Sequence, residues 1–396
     1  MLKKISIKQL KMGMFIEKLD GNWLKHPFWK TSFKLDLAKN LKTLQTSEIT
    51  HVWIDTSKGL DIVANKATKA PVEEVKAPKP KETKTTLQEE MKAAKETLDK
   101  AKQATMEMFQ EARMGNSITM ADVAPLVDEI SESVTRNPAA MLSITRIKNI
   151  DDYTYLHSVA VCALMVALGK QINYKGNFHS LGLAGLLHDV GKMSIPEAIL
   201  NKPGKLTDEE FKIIKSHPLR GWEILKKADD ADEMALDVCL HHHEKVNGSG
   251  YPENLTAEKI SLEAKMGAVC DVYDAITSNR CYKKGWDPAD SLKQMASWKG
   301  EHFDDDIFKA FVKTIGIYPT GTILKLKSGR LGIVTEQSEK TLLQPKLKIF
   351  FSSSSNSPIP PKMIDLTRSP EIIESIEDPE TWGFDRQKIL DIISSK

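Results

Sequence analysis

Between Ala121 and Ile315 the sequence is patterned for helices almost throughout, and five of them each turn a metal-competent side chain toward their apolar face. His157 starts a helix with Val161, Leu164 and Leu168 on its own side. His188-Asp189 closes an apolar helix within Leu186-Leu187-His188-Asp189-Val190-Gly191-Lys192. His217 follows Phe211 and Ile214 at helical spacing, His241-His242-His243-Glu244 ends another helix, and Asp271 shares a face with Ala264, Ala268 and Ala275. One histidine on an apolar face is ordinarily a satisfied core residue. Several converging with carboxylates need a common partner, because an unpaired buried charge is costly. A divalent cation is the simplest partner, and imidazole with carboxylate suits Fe or Mn, then Ni or Zn, better than Ca or Mg.

Seven ligands, His157, His188, Asp189, His217, His242, His243 and Asp271, exceed what one four- to six-coordinate ion needs. Two cations roughly 3.5–4 Å apart, bridged by a carboxylate such as Asp189, can hold a bridging hydroxide and both phosphoryl oxygens for an in-line displacement. Lys192, three residues after Asp189, then has a place beside the scissile phosphate, offsetting charge in the transition state.

The rest of the chain frames this region. At 396 residues it is long enough for two to three domains. Residues 1–65 alternate short strand-like runs (Met14–Ile16, Val52–Ile54) with turns, which predicts a small β-rich domain. Residues 66–84 are Lys, Pro, Glu and Ala with almost no large hydrophobes, the composition of a flexible linker. A connector helix is expected over 85–115, with Gly115 as its stop. Leu87, Met91, Ala94, Leu98, Ala101, Thr105 and Met108 form a seam along it, suited either to a homodimer or to packing on its own chain; the small residues favour the second. The catalytic domain is expected over 116–318 and a β-rich extension over 319–396. In that extension Thr322–Leu326 and Leu331–Val334 form a hairpin, Leu347–Phe351 a strand, Ser352–Pro361 a loop and Gln387–Ile393 a helix. The fold class is therefore mainly α, with small β-rich domains at both ends.

Composition excludes little but is consistent. A net charge of +2 gives no bulk attraction to nucleic acid. The four cysteines, Cys162, Cys239, Cys270 and Cys281, form no CxxC pair and fit reduced thiols. The N-terminus lacks an apolar signal core, and Val159–Leu168 is too short to span a bilayer, so a cytoplasmic protein is expected.

His188-Asp189-Val190-Gly191-Lys192, His217-Pro218, His242-His243-Glu244, Gly250-Tyr251-Pro252 and Asp271-Val272-Tyr273-Asp274-Ala275 occur in that order. Over Asp151–Tyr318 the chain resembles the HD-GYP family, the branch of HD phosphohydrolases that degrades the bacterial messenger cyclic di-GMP. Its N-terminal region resembles the small uncharacterised domain that often precedes such modules. The resemblance implies that the seven residues above are metal ligands and that Lys192 meets the phosphate. It also implies that Arg280 and Lys283 hold substrate phosphates and that Gly250, Tyr251 and Pro252 shape the pocket wall. The expected reaction is hydrolysis of cyclic di-GMP to pGpG and/or GMP, and signalling-protein partners are a further expectation of the resemblance. The alternatives are a cyclic di-GMP sensor with little turnover and a phosphodiesterase for another cyclic dinucleotide. Tyr153 stands where three-metal members carry glutamate, so two metals are expected. Asn247 stands where aspartate is common, and His241 is an additional histidine expected to lie beside the centre.

Overall fold

A computed structural model describes residues 2–19, 32–36, 38–45, 51–60, 87–146, 153–278, 285–298, 300–338 and 340–394. The expected linker and Arg280, Cys281 and Lys283 lie outside the described residues. The chain divides into two compact units, Met1–Pro80 and Lys81–Lys396.

In the first unit, β1 (Leu2–Ser6), β2 (Phe15–Leu19), β3 (Phe33–Lys34) and β4 (His51–Asp55) form an antiparallel sheet of order β1-β4-β2-β3, with α1 (Ala38–Gln45) between β3 and β4 in sequence. Alternation at period two sends Ile5, Ile16, Val52 and Ile54 to one buried cluster with Met14, Leu35 and Leu44. A β-rich unit is what the short strand-like runs predict.

The second unit is built on helices α2 (Leu87–Arg113), α3 (Met120–Arg136), α4 (Pro138–Thr145), α5 (Tyr153–Gln171), α6 (Phe178–Leu187) and α7 (Glu197–Leu200). It continues through α8 (Asp208–Ile214), α9 (His217–Leu225), α10 (Glu233–His241), α11 (Leu262–Thr277), α12 (Pro288–Ser297) and α13 (Asp305–Ile315). At its centre lies α5, buried all round from Leu156 to Gly169, as a helix without a polar face must be. Among the described residues α5 is the one helix long and apolar enough to cross a membrane, and 78% of its apolar window is buried inside this fold.

The seam of α2 is occupied by the chain itself. Met91, Ala94, Leu98, Ala101 and Met108 join the main core against α3, α4 and α5. Thr105, the polar member, donates its hydroxyl to the Ala101 carbonyl at 2.7 Å. Buried Glu90 on the same helix accepts two hydrogen bonds from Arg136, each 2.9 Å, and one from Ser133 at 2.8 Å. Among the described residues the seam packs on its own chain, the second of the two expected uses.

After α13 come β5 (Ile323–Leu326), β6 (Arg330–Glu336), β7 (Lys346–Ser352), β8 (Ser357–Asp365), β9 (Ile373–Glu377) and α14 (Arg386–Ser394), with antiparallel order β8-β7-β6-β5-β9. This sheet is covered on both faces: Ile323, Leu331 and Ile333 enter the main core, while Leu324, Leu326 and Val334 form a second cluster. The extension therefore grows out of the helical core and does not stand apart from it. Of the segment expected to be a loop over 352–361, only 353–356 is a turn; Ser352 ends β7 and 357–361 belong to strand β8. Its three prolines, Pro358, Pro360 and Pro361, are tolerated because β8 is an edge strand whose missing N–H groups interrupt no central ladder.

Candidate metal centre

Each candidate ligand is presented by the end or the buried face of a helix. Asn177 caps α6, its side chain accepting from the His179 amide at 2.9 Å, and the helix runs apolar to Leu187, which delivers His188 and Asp189 fully buried. Asp232 caps α10 at the Ala235 amide, 3.0 Å, and that helix ends at His241, placing His242 and His243 just beyond it. Ser261 caps α11 at the Ala264 amide, 3.0 Å, and carries Asp271 into the interior. His157 sits in the second turn of α5, not its first. His217 does not continue α8 as the spacing suggested. It opens α9, because Pro218 has no N–H to donate and suits the first turn of a new helix.

Two glycines make this convergence sterically possible. A Cβ at Gly191 would lie 1.9 Å from the His217 carbonyl oxygen, so only glycine lets the short turn after Asp189 rest on the start of α9. A Cβ at Gly250 would lie 2.4 Å from the Lys245 amide nitrogen, so the Gly250–Pro252 loop can fold back over the end of α10. There the Tyr251 ring stacks on His243 at 4.7 Å between centroids, and the Lys215 ammonium lies 5.1 Å from the centroid of the same Tyr251 ring.

The imidazoles are oriented from behind. His188 donates Nδ1–H to the Gly185 carbonyl at 2.7 Å, His217 to Ile214 at 2.8 Å, and His242 to Cys239 at 3.0 Å. His157 donates Nδ1–H to Asp274 Oδ2 at 2.6 Å. With Nδ1 engaged from behind, Nε2 is the ring atom that each of these imidazoles turns to the site and offers to a metal once it carries no proton. Those atoms face one another: His217 Nε2 and His242 Nε2 are 3.3 Å apart. His188 Nε2 and Asp189 Oδ1 are buried without a hydrogen-bond partner. Acceptors turned toward acceptors in a dry interior are costly unless a cation sits among them.

The potential ligand atoms fall into two groups, His157, His188, Asp189 and Asp271 in one and His217, His242 and His243 in the other. Asp189 joins them. Its Oδ2 lies 3.4 Å from His157 Nε2 and 3.3 Å from His188 Nε2, and its Oδ1 lies 3.2 Å from His217 Nε2 and 3.7 Å from His242 Nε2. One carboxylate thus presents one oxygen to each group. Asp271 Oδ1 is 3.0 Å from His157 Nε2, and its Oδ2 is 3.9 Å from His243 Nδ1. Lys192, partly exposed, pairs with Asp189 at the mouth of the site. A donor set of imidazole nitrogens and carboxylate oxygens in this arrangement can hold metal ions.

The environment sets the charges. Burial opposes ionisation of Asp189 and Asp271, but Lys192 and His188 beside Asp189, and His157 and His188 beside Asp271, hold both carboxyls well below the usual range. Burial would also lower His188, yet Asp189 and Asp271 outweigh it and push it up to about 10.

All seven expected ligands, Lys192 and the Gly250–Pro252 turn therefore meet in one place. His241 does not: its Nδ1 pairs with Asp237 Oδ1 at 2.8 Å on the far side of α10. Tyr153 stacks on His157 at 5.5 Å. Asn247 accepts from the Ser249 amide at 3.0 Å and shapes the loop. Two residues had no role assigned from sequence. Asp274 orients His157, and its signal was its i, i+3 spacing from Asp271, which puts both on one helical face. Glu244, 3% exposed, accepts the amides of Glu253 at 2.7 Å and Leu255 at 2.9 Å and so anchors the Tyr251 loop.

A domain of unknown function (DUF3391) matches residues 2–123, and the HD domain matches residues 133–307. The chain is 50% identical over 392 residues to cyclic di-GMP phosphodiesterase PA4108 of Pseudomonas aeruginosa, covering 97% of this chain and 94% of that protein. It is 40% identical over 132 residues to the cyclic di-GMP phosphodiesterase response regulator RpfG of Xanthomonas campestris pv. campestris, covering 33% of this chain and 35% of that one. The solved structure of Bd1817, an HDG"Y"P protein from Bdellovibrio bacteriovorus, aligns with a TM-score of 0.48 at 16% identity, over 79% of this chain and 99% of that chain. With half of its residues shared along nearly the whole of both sequences with the Pseudomonas protein, and an HD-domain match over the helices that carry the His–Asp cluster, the chain belongs to the HD-GYP family.

Proposed function

We propose that this protein is a metal-dependent phosphodiesterase that hydrolyses cyclic di-GMP, opening it to pGpG and then, in part, to GMP. The observation that carries the reading is the division of Asp189 between two groups of ligand atoms. A carboxylate that reaches both groups is what a two-ion centre requires of a bridge. His157, His188, Asp189 and Asp271 would hold one ion and His217, His242, His243 and Asp189 the other, with Fe or Mn the best chemical fit. When bound, the pair would supply a water activated at neutral pH and positive charge for the phosphoryl oxygens.

The chain's own residues do the rest. The carbonyls of Gly185, Ile214 and Cys239 and the carboxylate of Asp274 keep the imidazoles in the neutral tautomer that can donate a lone pair. Lys192, at the mouth beside Asp189, meets a phosphate oxygen and offsets the charge that builds on it. Tyr251, stacked on His243, walls the opening, and the family resemblance assigns Arg280 and Lys283 to the substrate phosphates. Overall, a water oxygen bonds to phosphorus, the bond from phosphorus to the 3′ oxygen breaks, and that oxygen takes up a proton. The protein works in the cytoplasm, where cyclic dinucleotide messengers are made and read.

The test is hydrolysis of cyclic di-GMP by protein purified without chelators and loaded with Mn or Fe(II), beside Asp189→Ala. Metal-dependent product from the wild type alone is expected. Two bound metals without product would sink the phosphodiesterase reading and leave a cyclic di-GMP sensor.

A further inference from the structure

Away from the metal centre, a cavity of about 910 Å³ runs along α5 between α3 and α4 on one side and α11, α13 and the start of the C-terminal sheet on the other. One end is formed by Thr145, Arg146, Leu164, Tyr273, Asp274 and Thr320, the other by Lys170, Asn173, Tyr174, Lys175 and Phe178. Its volume lies in the range of small-molecule sites, roughly 300–1,000 Å³.

The charges in this cavity do not cancel. Arg136 is committed to Glu90 at 2.9 Å. Of the acids, Asp274 is taken by His157 at 2.6 Å and Glu336 by Lys346 at 2.5 Å. Arg146 donates one hydrogen bond, to the Thr320 carbonyl at 2.8 Å, and among the described residues it enters no ion pair. Lys170 and Lys175 likewise enter none, and Lys170 lies only over the Phe178 ring at 5.9 Å.

A second observation points the same way. Tyr273 lines the cavity, is 2% exposed, and its hydroxyl has no hydrogen-bond partner. A buried hydroxyl left unpaired costs free energy, and native proteins seldom leave one so without a solvent or ligand partner. A half-buried guanidinium without a counter-ion beside an unsatisfied hydroxyl donor is a poor arrangement for an empty interior and a suitable one for a bound anion. The edge-to-face pair Tyr174 and Phe178, 5.8 Å between centroids, gives the opposite end an aromatic wall.

We infer that this cavity is a second ligand site, which takes a phosphate-bearing small molecule of about mononucleotide size. Its phosphate is held by Arg146 and the Tyr273 hydroxyl, and its body lies toward Tyr174 and Phe178. The site shares Asp274 with the metal centre, because that carboxylate lines the cavity and also holds His157. A ligand there therefore sits one side chain away from the catalytic cluster.

The experiment is calorimetric titration of the metal-loaded full-length protein with AMP, and with adenosine as the uncharged control, on wild type, Tyr273→Phe, Arg146→Gln and Asp189→Ala. AMP is expected to bind at about 1 mM or tighter, adenosine at least about tenfold more weakly. Tyr273→Phe should weaken AMP about tenfold, as loss of one charge-assisted hydrogen bond predicts, and Arg146→Gln at least as much. Tyr273→Phe removes only an unpaired hydroxyl, so its ligand-free melting temperature should not fall, which separates lost binding from lost folding. Asp189→Ala should leave AMP binding intact. No binding up to about 5 mM, equal binding of adenosine, or AMP binding that survives both cavity variants and disappears in Asp189→Ala would each overturn the proposal. The last would place AMP at the metal centre and leave the cavity to water.

Discussion

The two halves of the metal centre use the same residue type to opposite effect. In the carboxylate-rich half, burial disfavours a charged imidazole, but Asp189 and Asp271 override it, so His157 is raised and His188 reaches about 10. In the imidazole half, burial is reinforced by neighbouring rings, so His242 is held well below its ordinary value and His243 falls to about 3. Histidine has no fixed charge here; the local ratio of carboxylate to imidazole decides it. In the absence of metal, the first half neutralises its carboxylates with protons. In the second half, burial and the neighbouring rings disfavour protons on His242 and His243. A cation meeting His188 must displace a proton, and one meeting His242 and His243 need not.

The strongest way to break this comparison is to remove the residue that joins the halves. Asp189→Ala should reduce turnover to background and bound metal from two ions per chain toward none, as read by elemental analysis. His188→Ala and His217→Ala should each leave one ion, in opposite halves. If either single variant lost both ions, the two-group division would be wrong.

A smaller effect comes from behind the ligands. Asp274→Asn keeps the shape but loses the carboxylate that fixes His157, and should weaken one metal site by roughly 10–100-fold while sparing the other. Competition with a chelator would resolve the two affinities, and equal weakening of both would argue against the division.

Acid should separate the halves in metal-stripped protein. His243 takes up its proton near pH 6.5 when unfolded but only near pH 3 when folded. Between those values the unfolded chain binds more protons, so this group's contribution to stability is present above pH 6.5 and is lost as pH falls toward 3. His188 has the opposite sign, contributing below pH 6.5 and losing its contribution as pH rises through about 10. The melting temperature of stripped protein should fall on acidification below pH 6.5, with a shallower fall in His243→Asn.

The smallest effect lies in the loop that walls the imidazole half. Glu244→Gln turns an NH2 donor toward one of the two amides, Glu253 or Leu255, and leaves that N–H without an acceptor, which costs about 1–3 kcal/mol. The Michaelis constant should rise more than turnover falls, since the Tyr251 wall loosens while the ligand set remains.

Much of the centre was legible because its signal is local. His188-Asp189 at the end of an apolar helix, and Asp271 on the apolar face of another, are anomalies that periodicity exposes without any knowledge of the fold. Asp274 stood on that same face, yet nothing in the sequence says which imidazole it meets, because His157 is 117 residues away in the chain. Glu244 was hidden for a similar reason: its partners are backbone amides, which carry no side-chain signature. Strand β8 was hidden by its prolines, since an edge position, where proline is harmless, is a property of the assembled sheet. The seam on α2 was legible as a seam, and the helices that fill it belong to the same chain.

The sequence by itself determined the chemistry on offer: seven candidate ligand side chains, their place on the apolar faces and ends of helices, and the lysine beside them. Helical periodicity and residue type are local properties, and they survive without a fold. Only the tertiary structure decided that the candidate ligands divide four and three, that one oxygen of Asp189 faces each group, and that, among the described residues, Arg146 enters no ion pair and the buried Tyr273 hydroxyl no hydrogen bond. Those are distances between segments remote in sequence, set by how helices pack, and no reading along the chain contains them.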